Sequence, residues 1–290
     1  MFGTMGYNPG YAGISGMICA TAMTRQQWVG FKGAPSTTSF AVSAPVKIFH
    51  IESGVGLVVK SDNTGFDKDI SLAGTYSYLM DVGTGKLGIG IMLGMLNAAL
   101  SPTWQIPTGD SFVSATDDPL IPDNKESYVA FDASLGGYYK TDKLYAGLSV
   151  THINNPKIKY NKSDGRSVTP YVSRHYYLTG GYNVQLSNPA YEILPSILVF
   201  SDGKVLQATL NTLVRYNKKA WGGLSYRAGD SVTGMIGFEL FNGIRIGYSY
   251  DFPLTDIRKS TTGSHEFMVN YCFDLNLGKS PMRYKSIRFL

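Results

Sequence analysis

The feature that most constrains this chain is a period-two alternation of apolar with polar or small side chains, repeated from end to end. From Val205 to Tyr216, Leu206, Ala208, Leu210, Thr212, Val214 and Tyr216 share one face, while Gln207, Thr209, Asn211 and Arg215 share the other. From Ile244 to Phe252, Ile244, Ile246, Tyr248, Tyr250 and Phe252 alternate with Arg245, Gly247, Ser249 and Asp251. Successive side chains of a strand point to opposite faces, so these runs predict half-buried strands. One face is greasy and ends in aromatics. The other is polar, charged or glycine, the reverse of what a water-soluble β-sandwich would bury.

Such runs lie near 16–29, 38–47, 54–61, 67–81, 86–99, 127–140, 143–154, 171–186, 192–201, 205–216, 219–228, 232–241, 243–253 and 264–275. They number about fourteen, each near or above the about 9–11 residues that a tilted membrane strand needs. The connections give a separate test, because outer-membrane barrels keep short turns on the periplasmic side and longer loops outside. Every second connection is mostly tight, including Asp81 to Gly85, Thr141–Asp142, Asn217–Lys218 and Phe241–Asn242–Gly243. The longer ones fall between them: Asp62 to Phe66, Leu100 to Glu126, Asn155 to Pro170 and Pro253 to Gly263. The sequence therefore predicts one all-β domain over residues 1–290, a transmembrane antiparallel β-barrel with both termini periplasmic. Residues 1–15 form a periplasmic N-terminal segment and 276–290 a periplasmic C-terminal tail, with Asn8 to Gly13 and the tail after Asn276 available to partners. Aromatics near strand ends, among them Trp28, Phe31, Tyr76, Tyr78, Tyr128, Tyr138, Tyr139, Tyr176, Tyr177, Trp221 and Tyr226, are expected to form interfacial girdles.

Several other classes are excluded or weakened. The best uncharged stretch, Leu87 to Gly109, is broken by Gly88, Gly90, Gly94, Asn97, Pro102 and Pro107, so no transmembrane helix is expected. Residues 1–24 show neither a basic n-region nor an unbroken apolar h-region, so no signal peptide is legible. Charged residues make up only 16% of the chain, and the net charge of +5 comes from scattered Lys and Arg. That pattern suits solvated loops and a lipid headgroup zone, with no nucleic-acid partner. His50, His152, His175 and His265 lack metal-ligand spacing, and no cofactor is expected. Gly263-Ser264-His265-Glu266 contains nucleophile, base and acid, but neighbours on a strand face opposite ways and cannot form a relay. Gly54-Val55-Gly56 and Gly88-Ile89-Gly90 lack the strand, turn and helix of a phosphate loop and are expected to be small luminal or packing residues.

The polar face carries Arg25, Asp132, Arg215, Glu239, Arg245, Asp251 and Glu266. These predict a luminal charge ladder, either lining water or paired across strands. Side chains alone no longer fill a barrel of this size, so water, a loop, the N-terminal segment or a partner must occupy it. Keeping Glu239 and Arg245 opposed requires the three-residue loop 241–243 with Gly243 left-handed. At the closing seam, one register that sets Arg25 against Glu266 also sets Cys19 against Cys272. Two thiols or a disulfide would satisfy that register equally.

Particular strings resemble a known family. Asn8-Pro9-Gly10-Tyr11-Ala12-Gly13, Arg25-Gln26-Gln27-Trp28 with Gly33-Ala34-Pro35, and Gly54-Val55-Gly56-Leu57 with Asp62 to Gly65 resemble the N-terminal half of PorP/SprF proteins. The second half is similar at Tyr138 to Ser149, Leu194-Pro195-Ser196, Trp221 to Arg227, Gly247 to Asp251 and Gly263 to Glu266. Where the family usually reads Asn-Pro-Ala, this chain has Gly10. The resemblance implies a non-enzymatic outer-membrane barrel of the Bacteroidetes type IX secretion system, linked in some members to gliding adhesins. It implies as partners a secreted client protein or its C-terminal domain, periplasmic type IX components and outer-membrane lipid. A passive porin or hydrophobic-solute channel, or an integral-membrane enzyme, are the competing readings. The tail Pro281 to Leu290, with Arg283, Lys285, Arg288, Phe289 and Leu290, is a candidate periplasmic docking strip.

Overall fold

A computed structural model describes residues 3–100, 105–108, 111–114, 126–161, 167–240 and 243–274. Fourteen strands form the wall: β1 Ile18–Gln26, β2 Ser36–Ile48, β3 Ile51–Thr64, β4 Asp67–Val82, β5 Gly85–Leu100, β6 Glu126–Lys140, β7 Leu144–Thr151, β8 His175–Tyr182, β9 Tyr191–Ser201, β10 Leu206–Tyr216, β11 Ala220–Arg227, β12 Ser231–Glu239, β13 Ile244–Pro253 and β14 Ser264–Phe273. A short piece, Val184–Gln185, continues β8 along the same neighbour, β9. Each strand pairs antiparallel with the next, and β14 pairs with β1, so the sheet has no edge. Closure satisfies every ladder within the wall, which a strand-built membrane span requires. Among the described residues, no helix is long and apolar enough to cross a membrane.

The alternation sorts the two faces. Ile89, Leu93 and Met95 of β5, Leu148 of β7, Leu210 of β10 and Leu224 of β11 point outward into lipid. Their neighbours on the inner face are small or polar and buried, as with Ser77, Ser134, Ser149 and Thr233. Two boundaries differ from the sequence reading. β3 begins at Ile51, joined to β2 by a two-residue turn in which Phe49 and His50 both have positive φ, 49° and 69°. Nothing in a Phe-His pair signals such a turn, since that conformation is normally left to Gly, Asn or Asp. At the opposite end β3 and β4 run on to a tight turn at Gly65-Phe66 where a longer loop is expected. The long connection after β5 contains a small ribbon, Gln105–Thr108 against Ser111–Ser114, and the one after β7 contains Tyr160–Asn161 against Ser167–Val168.

The expectation that Asn8 to Gly13 is available to partners does not hold, because that segment is buried against the inner wall. From Gly3 the chain folds inward as two 3-10 turns, Thr4–Gly6 and Pro9–Tyr11, packed on the inner faces of β2 to β6. Asn8 and Ala12 are fully buried there. The segment is apolar and glycine-rich, with nothing charged before Arg25, so burial inside the wall costs less than exposure in water.

Candidate functional site

The lumen is built from two different linings. On β3 to β7, Gly54, Gly88, Gly90, Gly136 and Gly147 occupy inward positions and form a shallow cradle. A Cβ at Gly54 would overlap the Ala12 carbonyl, and one at Gly90 would overlap the Pro9 carbonyl, so the plug backbone sits where side chains would otherwise stand. Asn8 fixes it. Its side-chain oxygen accepts from Gly10 N at 3.0 Å, and its amide donates to the Gly137 and Leu148 carbonyls at 3.0 and 3.4 Å. At Gly10 a Cβ would lie 2.6 Å from the Gly88 carbonyl oxygen, so the alanine usual in the family would need the cradle to shift.

Apolar contacts complete the seat. Met5 and Ala12 pack with Val58 and Met92, and Ile14 packs with Leu79 and Tyr138. Tyr11 meets Tyr138 edge-on at 5.1 Å, and Tyr7 stacks on Tyr177 at 5.0 Å. Tyr138 and Tyr177 therefore belong to the lumen and not to the girdle, and the same correction applies to Trp221, which packs with Leu213 and Met268. Strand parity carried that signal, because Tyr138 shares a face with Asp132 and Trp221 shares one with Arg227. Tyr76, Tyr78, Tyr128, Tyr176 and Tyr226 are exposed on the outside.

The other lining, on β9 to β14 and β1, is made of charge pairs. Arg25 donates to Asp251 and to Glu266, the latter at 3.2 Å and directly opposite in the β1–β14 register. Arg245 donates to Glu239 at 2.8 Å across the β12–β13 hairpin, where Gly243 has φ 82°. Arg215 donates through Nε to Glu192 at 2.7 Å. Glu192 was missed from sequence, although it lies opposite Arg215 in register and on the same face. Asp132 stands apart on β6, with His152 Nδ1 2.9 Å from its carboxylate. His152 in turn meets His175 edge-on, and His175 meets Phe200, above Tyr177. His265 faces outward and hydrogen-bonds Tyr248 at 2.7 Å, away from Ser264 and Glu266.

At the seam, Cys19 and Cys272 are register partners and are joined by a disulfide. The tail residues Arg283, Lys285, Arg288, Phe289 and Leu290 lie outside the described residues, as do Phe241 and Asn242. Among the described residues no group of three or more metal-ligating side chains converges. The geometry offers a closed wall, an internal plug and ion pairs along the lumen.

Fold and lumen together define a multi-pass β-barrel of the outer membrane. The family model for the type IX secretion system membrane protein PorP/SprF matches residues 1–271, and the chain belongs to that family. Among solved structures it is similar to the monoaromatic hydrocarbon channel CymD, at 12% identity and TM-score 0.55, covering 94% of this chain and 92% of that one. The toluene transporter TbuX of Ralstonia pickettii is similar at 12% identity and TM-score 0.53, covering 94% and 93%. A FadL homologue of Pseudomonas aeruginosa follows at 12% identity and TM-score 0.50, covering 89% of each chain. Identities this low speak for the fold alone. No curated protein matches the sequence.

Proposed function

We propose that this protein is a non-enzymatic outer-membrane component of type IX secretion that binds a secreted client or its C-terminal domain, or anchors periplasmic machinery. In some relatives the same role extends to export of gliding adhesins. The observation that carries the reading is the seated plug. A barrel whose own N-terminal segment is locked into a glycine cradle by a buried asparagine is poorly suited to passive conduction, and family membership supplies the export context. The seven predicted ladder residues serve in this reading as wall fasteners, and the disulfide staples the seam.

Affinity purification from native membranes followed by mass spectrometry tests it: a client's C-terminal domain or periplasmic type IX components should copurify. The purified barrel in a planar bilayer should conduct little. Porin-level conductance by the native chain, with no such partner recovered, overturns the proposal in favour of a passive porin or hydrophobic-solute channel. Deleting residues 281–290 should leave a heat-modifiable barrel but weaken recovery of periplasmic partners; unchanged recovery removes the docking role of Arg283, Lys285, Arg288, Phe289 and Leu290.

A further inference from the structure

Beneath the plug a cavity of about 430 Å³ reaches the rim of short turns. That volume falls in the about 300–1,000 Å³ range of small-molecule sites. One side is apolar and adaptable, with Met5, Met17 and Leu194; the other is cationic, with Lys140, Arg215 and Arg245. Arg215 and Arg245 already hold Glu192 and Glu239. Lys140 ends β6 on the same face as Tyr138, and among the described residues no carboxylate lies within ion-pair distance of it. Asp142 and Lys143 also line the cavity, and Asp142 is the carboxylate whose charge bears on Lys140. Four cations (Lys140, Lys143, Arg215 and Arg245) thus face three carboxylates (Asp142, Glu192 and Glu239), leaving one positive charge in excess.

We propose that this cavity binds a carboxylate carried on a short apolar stem, with Lys140 taking the carboxylate and Met5, Met17 and Leu194 the stem. A carboxylate is the matching charge. Each guanidinium has five N–H donors, so Arg245, which gives its Nε to Glu239, retains donors for a second acceptor. Unbranched thioether side chains accommodate stems of different shape. Two sources present this chemistry, a free organic acid and the C-terminus of a peptide. The site does not depend on the export role proposed above, whose test is copurification.

The test is calorimetry on the full chain in lipid nanodiscs, with hexanoate against hexanol and N-acetyl-alanyl-valyl-leucine against its C-terminal amide. At least one acid should bind about tenfold more tightly than its neutral counterpart, the scale of one hydrogen bond to a charged group. Lys140→Met should remove that advantage and Lys140→Arg should keep it, with neutral probes unchanged and heat-modifiability intact in both. Hexanoate binding alone assigns a free organic acid; binding of the peptide acid assigns chain-end capture. Equal affinity of acids and neutral analogues for the native protein overturns the site, as does undiminished acid binding in Lys140→Met.

Discussion

The barrel wall divides into two stretches that solve the same problem differently. From β2 to β6 the strands are 13 to 16 residues long, and with β7 they offer glycines to the lumen. From β7 round to β1 they are 8 to 11 residues long and offer arginines, carboxylates and Trp221. A lumen this wide cannot be filled by wall side chains alone. One side removes its side chains and admits a backbone segment, whose polar groups must then be met by Asn8 and its own turns. The other fills its space with long paired side chains that hold strands in register. The difference teaches that a wide barrel interior can be filled in two ways, by a backbone segment seated on glycines or by long side chains paired across strands.

Breaking the glycine side should have the largest effect. Gly54→Val sets a side chain into the Ala12 carbonyl, beyond the about 1–3 kcal/mol typical of overpacking because the clashing atom is backbone. The plug should leave its seat, seen as protease sensitivity before Ile18 and raised conductance, while the wall still shows heat-modifiability. A barrel that stays closed would show that the plug has another anchorage. Breaking the charged side comes next. Arg25→Met strands Asp251, whose side chain is 5% exposed, and Glu266, and should cost about 3–5 kcal/mol in unfolding. Adding Asp251→Asn should recover part of that loss; strict additivity would argue against coupling.

The disulfide ranks third. Its sequence separation of 253 residues closes almost the whole chain into a loop, and Cys19→Ser with Cys272→Ser should cost about 2–4 kcal/mol. Nonreducing peptide mapping should recover the linked pair, and two separately alkylatable thiols in the folded barrel would refute it. Asn8→Ala sharpens the contrast more gently, because it deletes the hydrogen bonds of the plug without adding bulk. About 1–3 kcal/mol is expected, read as partial plug release rather than loss of the wall. The most local change is Gly243→Val, where a β-branched residue at φ 82° should cost about 1–3 kcal/mol, confined to the β12–β13 hairpin. A circular dichroism melt unchanged from the native protein would count against the assigned turn.

The wall was legible because a strand has a fixed side-chain period of two. Once Arg215 or Arg245 is placed inside, every neighbour along the strand is placed too, and a one-residue slip would turn the whole face outward. The Arg25–Glu266 and Cys19–Cys272 alignments follow from that same rule across the seam. Glu192 was equally derivable, and Tyr138, Tyr177 and Trp221 were misassigned only because their position near strand ends was weighed above their parity. The Phe49-His50 turn was not derivable, since its conformation runs against residue preference and is held by the register of the flanking strands.

The sequence by itself determined an outer-membrane barrel of about fourteen strands, its inside and outside faces, and the register of the Arg25–Glu266 and Glu239–Arg245 pairs, because these are local or nearest-neighbour consequences of alternation. Only the tertiary structure decided what fills the lumen. Gly54, Gly88, Gly90 and Gly136 lie far apart in sequence from Asn8, Pro9 and Ala12, and nothing in their spacing encodes the match. Their fit exists only after closure has curved β3 to β6 around a common axis, when missing side chains on separate strands become one continuous surface for a backbone to occupy.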